Sequence, residues 1–70
     1  MKREEELVRE VSSIIESGDR PHVELLAERM SWTDQDVHRV LNILEKKDEV
    51  FTYPEEFLDE KKRMVGLKRQ

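Results

Sequence analysis

Three times in the first 47 residues the apolar side chains recur at intervals of three and four, and then the interval changes. Leu7, Val8, Val11, Ile14 and Ile15 form one stripe of an α-helix; Val23, Leu26, Ala27 and Met30 form a second; Val37, Val40, Leu41 and Leu44 form a third. From residue 50 the pattern is different. Val50-Phe51-Thr52-Tyr53 is β-branched and aromatic, and Met64-Val65-Gly66-Leu67 is a second short apolar run. This order restricts the chain to an α+β fold: three helices followed by a two-stranded hairpin.

Local signals place the boundaries at helix 4–17, helix 22–30, helix 33–47 and hairpin 50–68. Glu4 to Glu6 sit where a helix N-terminus favours negative charge, and Gly18 is the expected left-handed stop. Thr33 with Asp36 makes a capping box with Asp in place of the usual Glu. Lys46 and Lys47 close the third helix at its negative end. Only Ser31 and Trp32 separate the second and third helical runs, so those helices must cross steeply, with Trp32 near the core. Pro54 is expected to stop the first strand, leaving 55–63 as a long charged loop anchored by Phe57 and Leu58. A short third strand at Pro21–Val23 is expected to pair with the hairpin.

Seventy residues suit a single domain, 1–70, with one core and no room for an enclosed catalytic cavity. Charged residues outnumber hydrophobic ones, 43% against 36%, a balance typical of disordered chains. The clustering of the apolar residues argues for a fold instead. The absence of cysteine excludes disulfides and thiolate zinc sites. His22 and His38 have no third imidazole near them in sequence, so neither a metal site nor any other cofactor is expected. The carboxylate pairs Glu55/Glu56 and Asp59/Glu60 fall in an exposed loop where nothing would raise a pKa, and two glycines cannot build a phosphate loop. The expectation is a protein that is not an enzyme. No apolar run approaches the ~18 residues that span a bilayer, and no apolar leader follows Met-Lys-Arg-Glu-Glu-Glu, so a cytoplasmic protein without membrane contact is expected.

The helical run and turn resemble the winged helix-turn-helix domains of bacterial and archaeal regulators. The family pattern Leu-Ala-x-x-Leu-Gly-Ile-Ser-x-x-x-Val-x-x-x-Leu-x-x-Leu-x-x-x-Gly-x-Val meets Leu26, Ala27, Met30, Ser31, Trp32, Thr33, Val37, Leu41, Leu44, Asp48 and Val50 without a gap. Ser31 and Asp48 depart from it, standing where glycine is usual at places that often need positive φ. The resemblance implies duplex DNA as partner, transcriptional control as role, helix three in the major groove and the wing against the backbone. Gln35, His38, Arg39 and Asn42 would then face base edges, with Lys46, Lys61, Lys62 and Arg63 serving phosphates. Charge divides in a way that suits this: all 17 acidic residues precede position 61, and the last ten residues carry Lys61, Lys62, Arg63, Lys68 and Arg69. Against it, Asp34, Asp36 and Glu45 cancel Arg39, Lys46 and Lys47 on helix three.

The rival expectation is a protein-interaction module, an adaptor or part of a replication or transcription assembly. Ile43 lies off the apolar stripe of helix three, and Phe57 and Leu58 lie in a loop that should be solvated; together they would make a partner surface. The alternative for Ile43 is to pack under the wing. Helix one, terminal and charged on its outside, also offers a face for a homodimer.

Overall fold

In the computed structural model, which describes residues 2–68, the chain forms helices α1 (Lys2–Glu16), α2 (Val23–Met30) and α3 (Asp34–Lys46), then strands β1 (Val50–Phe57) and β2 (Glu60–Leu67). This is the expected α+β arrangement, three helices and an antiparallel hairpin in the winged-helix layout. Its radius of gyration is 11.2 Å, close to the ~11 Å of a compact chain of this length, so the high charge content does not expand it.

One contiguous core holds the elements together. Leu7, Val11 and Ile14 of α1, Val23 and Leu26 of α2, and Val37, Leu41 and Leu44 of α3 are wholly buried, and Val50 and Val65 close the core from the hairpin. Each such aliphatic side chain contributes about 1.5–3 kcal/mol on burial. Trp32 is half-buried against this cluster, with the Arg3 guanidinium 4.4 Å from its ring centroid.

All three helices end in the same way. Gly18 (φ 88°), Ser31 (φ 58°) and Asp48 (φ 65°) each adopt the left-handed conformation. The next residue in each case returns its N–H to a carbonyl five positions back: Asp19 to Ile14, Trp32 to Ala27, and Glu49 to Leu44. Ser31 and Asp48 thus take the positive φ that glycine adopts in the related pattern, at a cost of about 1 kcal/mol each. At the other ends, the Thr33 hydroxyl accepts from the Asp36 N–H at 3.0 Å, and His22 Nδ1 accepts from the Leu25 N–H at 3.3 Å.

The hairpin differs from its expected form. Pro54 does not end β1. It pairs with Arg63 inside a ladder that runs unbroken from Val50↔Leu67 to Phe57↔Glu60, and the expected loop shrinks to Leu58 and Asp59. Both have positive φ, 48° and 69°, as a two-residue turn of the primed type requires. Proline is tolerated because β1 is an edge strand, where a missing N–H removes no ladder bond if it faces outward. The extra pairing at 21–23 is present as a single bridge, His22↔Met64, with the Val65 N–H donating to the Pro21 carbonyl at 3.0 Å.

Strand alternation gives the hairpin two faces. Val50, Thr52, Arg63, Val65 and Leu67 look towards α3 and the core. Phe51, Tyr53, Glu55, Lys62, Met64 and Gly66 lie on the opposite face, where Met64 is wholly buried beside its bridge to His22. The Phe51 ring lies over Gly66 so closely that a Cβ there would come within 2.2 Å of it.

Candidate nucleic-acid interface

α3 turns about 100° per residue, so the buried row of Val37, Val40, Leu41 and Leu44 fixes the row that faces outward. Gln35, Arg39, Asn42 and Lys46 form that row, and all four are exposed. His38 and Glu45 lie on one flank. Asp36, Ile43 and Lys47 lie on the other.

The wing meets the first flank through one side chain. Arg63 donates to His38 Nδ1 at 2.9 Å, to Asn42 Oδ1 at 3.0 Å and to Glu45 Oε1 at 3.1 Å. A guanidinium has no acceptor, so His38 takes this bond with an unprotonated Nδ1. The Thr52 hydroxyl donates to the second oxygen of Glu45 at 2.7 Å. Four of the residues expected to meet DNA are therefore ordered differently: His38, Asn42 and Arg63 are tied to one another, whereas Arg39 stands apart, 3.8 Å from Asp36.

The opposite flank faces α1. Asp36 also accepts an ion pair from Arg3 at 3.3 Å, and Lys47 holds Glu4 at 2.7 Å. The hydrogen bond from Lys47 keeps the Glu4 carboxyl below its ordinary range despite its burial, and the same bond raises the Lys47 ammonium. Ile43, between these two contacts on the helix surface, is half-buried. It lies on the α1 flank and not under the wing.

The basic residues of β2 line one open cleft of about 360 Å³ with His38, Thr52 and Glu24, yet their charges differ in availability. Lys61 is exposed and has no ion partner among the described residues. Arg63 is neutralised by Glu45. Lys62, on the outward face of the hairpin, has its amine 3.3 Å from Glu60 and 3.9 Å from Glu24. Burial alone would raise the Glu24 carboxyl, but its own backbone N–H, His22 and Lys62 outweigh that and lower it.

Of the apolar residues expected to make a partner surface, Ile43 lies on the α1 flank of α3 and Leu58 in the turn of the hairpin. Leu58 is 98% exposed, and the Phe57 side chain lies outside the described residues. A different pair is exposed instead. Phe51 and Tyr53 stack on the outward face of the wing with centroids 5.9 Å apart and planes 25° from parallel. The period-two alternation carried that signal, since Val50 and Thr52 facing α3 forces Phe51 and Tyr53 outward.

No family model, curated protein or solved structure matches the chain. Among the described residues, no helix is long and apolar enough to cross a membrane.

Proposed function

We propose that this protein binds duplex DNA as a transcriptional regulator, laying α3 in the major groove with the wing along the backbone. The observation that carries this reading is the outward row of Gln35, Arg39, Asn42 and Lys46, four exposed side chains of donor-bearing type in one line. At 1.5 Å per residue the row is about 16 Å long, the reach of roughly five base-pair steps. Arginine, glutamine and asparagine have the geometry for bidentate contact with guanine and adenine edges.

The acids of α3 weigh less against this than their number suggests. Asp36 is balanced by Arg3 and Arg39, and Glu45 by Arg63. Asp34 alone on the helix has no partner among the described residues. The phosphate contacts left to one copy are few, chiefly Lys46 and Lys61, so binding should be modest and its salt dependence shallow, with a slope of about −2 to −3.

Fluorescence anisotropy with a pool of random duplexes at low salt tests the proposal. Arg39→Ala should weaken binding to a selected site by about 1–3 kcal/mol and relax its base preference, with folding unchanged. No duplex binding at low salt would end it. The exposed Phe51–Tyr53 pair favours a second reading, a protein-interaction module. Under that reading Phe51→Ser abolishes a partner complex that Arg39→Ala leaves intact.

A further inference from the structure

The outer face of α1 takes no part in the DNA reading. Beyond its buried row, α1 exposes Ile15 (41%) and leaves Val8 half-buried, and Leu67 of β2 lies half-buried beside it. Two joined depressions of about 480 and 350 Å³ run along this face and share Ser12 and Glu16. At 100° per residue, Val8 and Ile15 border Ser12 on one side, and Arg9 and Glu16 border it on the other.

The charged border is the informative one. Arg3, Arg20, Arg29, Arg39 and Arg63 each have a carboxylate within 4 Å. Arg9 alone among the described arginines does not, and Glu16, two turns further along the same border, also has no ion partner among the described residues. Both are exposed.

We infer that this face binds a second copy of the chain, with α1 antiparallel to α1 about a two-fold axis near Ser12. Such an axis, perpendicular to both helices, returns each border against the same border of the copy with its direction reversed. Arg9 then lies within one residue of register from Glu16 of the second copy, twice over. Val8 meets Ile15 of the second copy on the other border, also twice. The small side chain of Ser12 sits at the crossing, where helices approach to 8–10 Å in ordinary packing. Glu5, two turns before Ser12 and about 20° from it round the helix, lies towards the end of the contact line, and Glu49 lines the larger depression beside it. A single helix pair buries less than the ~800 Å² per partner of a standard interface, so the dimer is weak and depends on concentration.

Sedimentation equilibrium of the full chain, from micromolar to millimolar, should show a reversible monomer–dimer system. Arg9→Glu or Glu16→Arg alone should raise the dissociation constant about tenfold, because each converts two attractive pairs into repulsive ones. The double variant R9E/E16R should return it to within about threefold of the parent, with circular dichroism showing α1 intact throughout. The chain has no cysteine, so Ser12→Cys supplies a lone thiol that should cross-link faster than Glu28→Cys on α2. This also reads the contact should a charge reversal unfold the helix. A monomer at every concentration, a dimer that ignores both reversals, or a double variant that fails to recover overturns the inference. None of these results depends on whether the protein binds DNA.

Discussion

Arg39 and Arg63 look alike in the sequence, two arginines on elements expected to meet DNA, yet the fold uses them in opposite ways. Arg39 projects from the outward row of α3 with 68% of its side chain in solvent and a loose contact to Asp36. Arg63 is 23% exposed and bonded to His38, Asn42 and Glu45. Apart from Asn42, whose Oδ1 accepts from Arg63, the row on α3 is a surface left open to a ligand. The inner face of the wing is an internal joint, with a guanidinium fastening hairpin to helix. A cation on the wing is therefore not the same as a cation available to phosphate, and Lys61 is the better candidate for that task.

The comparison breaks most visibly if Arg63 is removed. Arg63→Ala should destabilise the fold by about 1–2 kcal/mol, since it removes three side-chain bonds that fasten the wing to α3, as read by urea unfolding. Lys61→Ala should leave unfolding unchanged but make the salt slope of duplex binding shallower by about one. The reverse outcome, with Lys61 structural and Arg63 neutral to folding, would remove the distinction between joint and surface.

A smaller effect sharpens the contrast. Glu45→Gln keeps the shape of the joint but removes its negative charge, so Arg63 becomes a net cation beside α3. Duplex affinity should rise about threefold, with a slightly steeper salt dependence, while stability falls by less than about 1 kcal/mol. Unchanged affinity would mean that the wing does not approach phosphate.

The smallest expected effect is on the other flank of α3, where Glu4 and Lys47 pair away from the proposed interface. The Glu4 carboxyl is lowered chiefly by its bond to Lys47, so its contribution is fully present above the ordinary glutamate range and is lost as pH falls through the lowered value. The Lys47 ammonium is raised, so its share persists below the ordinary lysine range and is lost only as pH rises through the raised value. Unfolding curves between neutral pH and about pH 3 should show a shallower acid loss for Glu4→Gln than for the parent. Duplex binding at neutral pH should not change.

Much of the fold was legible from residue spacing. The positive φ of Ser31 and Asp48 was legible only through the family pattern, which has glycine there. The three helices, the tight turn at Ser31–Trp32, the Thr33 cap and the left-handed stop at Gly18 all follow from local chemistry, and local chemistry is what a sequence displays. Pro54 was misread for the same reason. Its propensity is to end a strand, but an edge position with four paired residues before it and three after it overrode it. At the candidate site, the exposure of Gln35, Arg39, Asn42 and Lys46 was legible, because helical periodicity alone decides which side faces outward.

What the sequence determined by itself was the order of elements and the facing of each side chain, since both depend on neighbours a few positions away. What only the tertiary structure decided was which charges are used up. Arg63 finds Glu45 across 18 positions and Lys47 finds Glu4 across 43, and no periodicity reports a pairing at that range. Coulomb attraction between exposed groups is weak in water and largely screened beyond about 10 Å. An ion pair therefore depends on the close approach of two packed elements, and that approach is set by the core they share.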